Sequence, residues 1–420
     1  MKVLISHPGK QHSYRTAQAV LKQGHELDYC TTVYDKPGSL TNMLKLFLNR
    51  KNRVSAESRK SPFIPDECVK QVMEMEGLYQ LLLERISTNK KTLARINDLI
   101  ISSFAKKVAK IAKKRGSDIV ISYDYNSSEL FSLLDKKKTN SIKVLDCSAA
   151  NRLFMSHVYI DDLLLSPDFA DKLQTECPYL NDQAMMYRLK KEIASADFFL
   201  AGSTFVKKSL EFSGVSSSKI FVCPYGVDLD EFSNKEYMES LDSRRVRFVF
   251  VGGTKQIKGL SYMLQAFQMI DHRHATFTII GKDDLSNDLK KKYGTDVNFL
   301  GIINHRDMPR ILRNYDVMVF PSLGEGFGLS ILEAMATGIP VISSTNTGIN
   351  DYIRDGYNGF IVPIQNANAI ADKMRWFIDN RKEIPKMGYN ATITAKQFTW
   401  DSYYEKVGSA ITSIFDSSAE

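Results

Sequence analysis

Short apolar runs alternate with helix-length, mostly polar segments along nearly the whole chain. Val3-Leu4-Ile5 reads as a strand, Tyr14–Lys22 as a helix closed by Gly24, and Glu26–Thr31 as the next strand. Ile119–Ser122, Lys143–Asp146, Phe198–Ala201 and Lys219–Cys223 continue this first series. A second series runs through Arg247–Val251, Thr276–Ile280, Val297–Leu300, Val317–Phe320 and Pro340–Ser343. Strands spaced by helices predict parallel sheets with helical crossovers. The polar stretch Gly226–Arg245 separates the two series, as an interdomain connection does. The expectation is an α/β protein with two Rossmann-like, doubly wound parallel-sheet domains facing a central cleft. They span 1–228 and 229–395, and residues 396–420 form a C-terminal helix.

The rhythm breaks over about residues 36–97, read as helical insertions in the N-terminal domain. Lys45, Arg50, Lys51, Arg53, Arg59 and Lys60 stand there beside Met43, Leu44, Leu46, Phe47 and Leu48. Elements inserted at the end of such a sheet often shape the pocket of a second substrate. Leu99–Arg115 follows as an amphipathic helix. Ile100, Phe104, Val108 and Ile111 share one face, and Lys106, Lys107, Lys110, Lys113 and Lys114 lie on the other. A helix packed on the sheet with a solvated basic face explains this pattern, and contact with anionic lipid is the alternative.

The densest chemistry lies in Asp316-Val-Met-Val-Phe-Pro-Ser322 and the following Leu-Gly-Glu325-Gly-Phe-Gly-Leu-Ser-Ile-Leu-Glu333, with Gly338 beyond. This is a strand, a glycine-rich turn, a helix and a closing glycine. Gly326 and Gly328 let a ligand approach the backbone. A helix beginning near Leu329 or Ser330 aims its unpaired N–H groups and positive dipole end at the same space. The result is an anion site suited to a diphosphate. Glu325 and Glu333 bracket it, so that one meets a sugar hydroxyl and the other a ribose hydroxyl.

A second strand-to-turn segment, Phe248-Val-Phe-Val-Gly252-Gly253-Thr-Lys255-Gln-Ile-Lys258-Gly259, offers Lys258 or Lys255 to the phosphates. Their charge counts most as a nucleoside diphosphate leaves. The loop His7-Pro-Gly9-Lys10-Gln lacks the spacing of a Walker A loop, and no GxGxxG follows the first strand. Those absences argue against a P-loop NTPase and a dehydrogenase. His12 follows the first strand and faces the cleft or serves as a structural residue.

Composition alters this picture little. With 420 residues and 43% hydrophobic content the chain needs two or more cores. Five cysteines without a CxxC pair suggest a reduced, cytosolic protein with no zinc ribbon. The N-terminus lacks a signal-peptide core, and no run approaches a membrane span. A formal charge of +8 by itself invites nucleic acid or anionic lipid, suits a diphosphate ligand, or is a plain surplus of lysine; with the motifs above, nucleic acid is not expected as a partner.

From about Lys191 to Phe398 the chain resembles glycosyltransferase family 4. The resemblance rests on Ser195-Ala-Asp197…Ser203-Thr-Phe, Pro224-Tyr-Gly-Val-Asp228…Phe232, Lys258-Gly259, Val297-Asn-Phe-Leu-Gly301, the Glu325/Glu333 segment and Gly348…Asp351-Tyr-Ile…Asp355-Gly-Tyr-Asn-Gly359. It implies a GT-B fold and a retaining transfer of a hexose-type sugar that needs no metal or other cofactor. UDP-sugar or GDP-sugar would be the donor. The acceptor would be a saccharide or a lipid-linked saccharide in cell-surface polysaccharide synthesis, at or near the inner face of the membrane.

The same resemblance assigns Glu325 to the donor sugar, Glu333 to the ribose and Lys258 to the diphosphate. It places Gly252, Gly253, Lys255, Ile302, Phe327, Gly328 and Leu329 around the donor, and Gly9, Lys10 and His12 on the acceptor side. The family's arginine after the glycine of the phosphate strand is Gly253 here. Its cleft histidine is replaced by Asn151, through its amide, or by His157. Nucleotide-sugar epimerisation or hydrolysis, or an inactive sugar-nucleotide-binding scaffold on the membrane, are the competing readings.

Overall fold

The computed structural model describes residues 1–9, 12–86, 90–232 and 245–418. Seven parallel strands form the first sheet. They are β1 (Lys2–Ser6), β2 (Glu26–Thr31), β3 (Val69–Gln71), β4 (Ile119–Tyr123), β5 (Ile142–Cys147), β6 (Phe198–Ala201) and β7 (Ile220–Val222), in the order β3-β2-β1-β4-β5-β6-β7. Six parallel strands form the second. They are β8 (Val246–Val251), β9 (Ala275–Ile280), β10 (Val297–Gly301), β11 (Val317–Phe320), β12 (Val341–Ser344) and β13 (Gly359–Val362), in the order β10-β9-β8-β11-β12-β13. Central strands covered by helices on both faces are apolar throughout, which is why they read so clearly. β4 and β11 are buried at every position.

In each sheet the strand order reverses once, between β1 and β4 and between β8 and β11. Crevices for ligands open at such reversals, beyond the C-terminal ends of the strands. The loops bearing His7–Gly9 and Gly252–Lys258 leave β1 and β8, and the Glu325 turn leaves β11.

Three elements differ from expectation. The second sheet has a sixth strand, β13, beyond the five of the second series. The edge strand Val69–Gln71 lies inside the segment read as helical, because three residues carry no alternation to detect. The basic amphipathic helix runs over Lys90–Arg115, starting well before Leu99, since its first turns are polar. It buries Phe104, Val108 and Ala112 against the sheet.

The helix Trp400–Asp416 lies on Ser13–Lys22 of the first domain. Arg15 Nη1 donates to the Tyr404 hydroxyl at 2.7 Å, the Thr16 and Tyr403 hydroxyls meet at 3.0 Å, and Lys22 pairs with Asp401 at 2.5 Å. A second junction is built by the helices Arg152–Leu165 and Ala170–Glu176, which follow β5 and reach the second domain. Buried Asp162 accepts from Gln256 Nε2 at 2.7 Å and from the Tyr262 hydroxyl at 2.6 Å. Glu176 accepts the backbone N–H groups of Gln256 and Ile257, each at 3.0 Å. Burial raises the pKa of both carboxyls. The two domains are therefore clamped beside the Gly252–Lys258 turn.

Candidate active site

The turn after β11 meets the first domain directly. A Cβ on Gly326 would lie 2.0 Å from the Ser148 carbonyl oxygen, so only glycine permits this approach. Ser203 Oγ donates to the Gly326 carbonyl at 2.5 Å. Gly328 adopts φ +95° and caps the helix Leu329–Ala336, whose first N–H groups open toward the turn. Phe327 is buried against Tyr225, with ring centroids 5.5 Å apart. Its side chain thus belongs to the domain junction, and only its backbone faces a ligand. Glu325 is held by paired backbone bonds: its N–H donates to Asn346 O at 2.9 Å, and Gly348 N–H donates to its carbonyl at 3.0 Å.

Because β8 and β11 are neighbours, the Lys258 ammonium reaches the Glu325 carboxylate and forms an ion pair with it. Both side chains keep partial solvent access, at 23% and 19%. The pair stands where the helix N-terminus also points, so cationic and backbone donors converge on one place. Lys255 is exposed on the same turn. Gly252 lies under the loop that follows β9: a Cβ on Gly281 would meet its carbonyl oxygen at 2.1 Å. At Gly253 a Cβ would find only ordinary contact, 3.5 Å from the Lys282 carbonyl oxygen, so this position has room for a side chain.

Glu333, one turn into the helix, accepts from His305 Nε2 at 2.9 Å. His305 follows β10 on the same loop as Ile302, which is 78% exposed. Nothing in the sequence singled out His305, because its partner lies 28 positions away on another strand's helix.

On the first-domain side, Gly9 N–H donates to His7 Nδ1 at 3.0 Å, and Lys10 lies outside the described residues. His12 is almost enclosed. Its Nε2 lies 3.1 Å from Asp146 Oδ1 and 3.3 Å from the Tyr225 hydroxyl, and its ring meets those of Tyr123 and Tyr225. Its aromatic and carboxylate neighbours all belong to the first domain and enclose it there. Asn151 caps the helix Arg152–Leu165, accepting the Leu153 N–H at 2.7 Å. His157 is exposed and packs edge-on to Phe212, 5.7 Å between centroids. Met155, two positions earlier and on the opposite side of that helix, is the residue that faces Gly324. Neither Asn151 nor His157 makes a hydrogen bond or ring contact with Glu325, Lys258 or Glu333. Their sequence-based role as replacement for a cleft histidine gains no geometric support. Among the described residues, no three His, Cys, Asp or Glu side chains gather as a metal site.

Residues 245–380 match the family model described as glycosyl transferases group 1. The C-terminal domain is a group 1 glycosyltransferase domain. Its curated relatives include an Escherichia coli UDP-Gal:α-D-GlcNAc-diphosphoundecaprenol α-1,3-galactosyltransferase, 35% identical over 182 residues, or 40% of this chain and 47% of that protein. A Pseudomonas aeruginosa D-rhamnosyltransferase is 32% identical over 192 residues, covering 43% and 49%. The chain spans about half the length of the curated relatives it matches. Solved structures extend the likeness of fold to the whole chain. Sucrose-phosphate synthase from Thermosynechococcus elongatus superposes with a TM-score of 0.69 at 18% identity, covering 99% of both chains. Anabaena HepE, solved with UDP and glucose, gives 0.61 at 14% identity over 98% of this chain and 100% of its own. The architecture around the glycosyltransferase domain is thus GT-B.

Proposed function

We propose that this protein transfers a hexose-type sugar from a nucleoside-diphosphate sugar to a saccharide or lipid-linked acceptor with retention of configuration, in cell-surface polysaccharide synthesis. The observation that carries this reading is the Lys258–Glu325 pair at the N-terminus of the helix Leu329–Ala336, at the strand-order reversal of the glycosyltransferase domain. On donor binding the diphosphate takes over the Lys258 ammonium and the free helix N–H groups. Glu325 is released to accept a hydrogen bond from the sugar, and Glu333, oriented by His305, accepts one from the ribose. Cationic and backbone donors then stabilise the charge that builds on the leaving diphosphate, while the acceptor hydroxyl attacks from the same face. The departing phosphate takes the proton, so neither a strong side-chain base nor a metal is required.

The relatives' names favour UDP-sugars as donors, with GDP-sugars the next to test. The names also favour a sugar on a lipid diphosphate as acceptor. Among the described residues no helix is long and apolar enough to cross a membrane. A cytoplasmic protein held at the membrane's inner face fits an acceptor of that kind. The test supplies labelled UDP- and GDP-hexoses, with and without a lipid-linked saccharide acceptor, and identifies the products. Acceptor-dependent formation of an α-linked product from an α-configured donor supports the reading. Epimerised or hydrolysed donor without acceptor moves the activity to another class.

A further inference from the structure

The segment inserted before β3 is both basic and apolar. Residues 36–60 hold seven Lys and Arg and a single acidic residue, Glu57. The same stretch leaves Phe47 85%, Leu46 65% and Met43 58% exposed. The facing helix Glu74–Ile86 leaves Met75, Tyr79 and Leu82 exposed as well. Exposed apolar groups gathered in this way and rimmed by charge mark a binding surface.

Between the two elements lies an open cavity of about 320 Å³, lined by Val33, Leu44, Leu48, Ala56, Leu78 and Leu82. Its size falls at the lower end of small-molecule sites, roughly 300–1,000 Å³. Arg59 and Leu81 line this cavity and also its neighbour of about 290 Å³, which is bounded by His7, Pro8 and Gly9 of the loop after β1 and by Gln80, Glu84 and Asn126. The Tyr14 hydroxyl donates to the Arg59 carbonyl at 3.0 Å, fixing the backbone at the junction. Gly77 lets the helix settle on the end of β2, where a Cβ would meet the Thr32 side chain at 2.7 Å. The Oδ1 of Asn97, which lines the polar cavity, has no hydrogen-bond partner.

From the β1 loop outward the order is therefore polar cavity, Arg59, apolar cavity, exposed apolar rim. That is the order of groups in an amphiphile: a sugar, a phosphate and a hydrocarbon chain. We propose that this pair of cavities binds the lipid-phosphate part of the acceptor, with Arg59 on the phosphate and Leu44, Leu48, Leu78 and Leu82 around the first isoprenoid or acyl units. The proposal rests on the glycosyl-transfer reading for the word acceptor, and names the chemistry by which that acceptor is held. A guanidinium suits a phosphate through paired N–H donors. The basic composition of residues 36–60 complements an anionic bilayer surface from which such a chain would be drawn.

The test titrates the full chain with farnesyl diphosphate, farnesol and inorganic pyrophosphate, and separately with nucleoside diphosphates. Farnesyl diphosphate is expected to bind at least tenfold tighter than either fragment. Leu82→Glu, at an exposed position, is expected to weaken it tenfold or more, and Arg59→Gln to reduce it to the level of farnesol. Both variants should leave the nucleotide titration unchanged. Farnesyl diphosphate binding no tighter than pyrophosphate, or indifferent to Leu82→Glu, overturns the site. Nucleotide binding without farnesyl diphosphate binding removes the lipid site alone. Farnesyl diphosphate binding that Leu82→Glu abolishes, in a chain that binds no nucleotide, removes the donor reading alone.

Discussion

The two domains share one architecture, yet they display their chemistry differently. In the glycosyltransferase domain most candidate groups sit on two short segments, 252–259 and 325–333, that leave adjacent strands β8 and β11, with Ile302 and His305 on the loop after β10. In the first domain the candidate groups are placed otherwise: His12 is enclosed by Asp146 and Tyr225, Asn151 caps a helix, and His157 lies on an outer face. A site for one constant ligand part, a diphosphate, can be built from local backbone and a few charges. The proposed site for a varied acceptor draws on an inserted segment with no fixed spacing.

The contrast can be broken at several points. Glu325→Ala should lower turnover on the order of 10²–10³-fold, the scale for losing one group that acts on the reacting centre, with an unchanged melting temperature. Retained turnover would place the donor sugar elsewhere. Gly253→Arg has room to form and would add a cation beside the phosphates. Nucleotide affinity should rise roughly three- to tenfold, and no gain in calorimetry would mean that the diphosphate does not pass that turn. His305→Ala should weaken nucleotide binding by about 1 kcal/mol, roughly fivefold, through the loss of one oriented hydrogen bond to Glu333.

In the first domain the expected effects are on stability. Burial raises the pKa of Glu192 to about 8, although Tyr125 and Ser127 N–H groups donate to it. The folded chain thus holds this proton more tightly than the unfolded chain. The associated stability is full below pH about 4.5 and is lost as pH rises through about 8. Denaturant unfolding of Glu192→Gln should show a flatter slope across that window, and an identical slope would exclude Glu192 as its source. Asn151→Ala should cost about 1 kcal/mol of stability as a lost cap and leave turnover nearly intact. His157→Ala should change stability by less than about 0.5 kcal/mol and turnover not at all. A large loss of turnover in either variant would return a catalytic role to that residue.

Much of the donor side was legible in the sequence because strand, glycine turn and helix are contiguous, so Glu325, Gly328 and Glu333 announce their own geometry. Lys258 was legible as a lysine near a turn. Its pairing with Glu325 depends on β8 lying beside β11, which no local pattern encodes. His305 was invisible for the same reason. Asn151 carried a readable cap signal, a short polar side chain directly before a helix, but its position after a central strand suggested chemistry instead. The edge strand Val69–Gln71 was too short to alternate, and the polar beginning of Lys90–Arg115 hid the true start of that helix. The cavities around Arg59 arise from segments far apart in the chain, so the basic, apolar composition of residues 36–60 was their only trace.

The most direct test of the central claim is thermal melting of the wild type and of Lys258→Ala with UDP, GDP and ADP, with and without EDTA. One nucleotide should raise the wild-type melting temperature regardless of EDTA, and the shift should vanish in Lys258→Ala, because a ligand that binds only the folded chain stabilises it. An equal shift in both proteins, or none with any nucleotide, would contradict a diphosphate site at the Lys258–Glu325 pair.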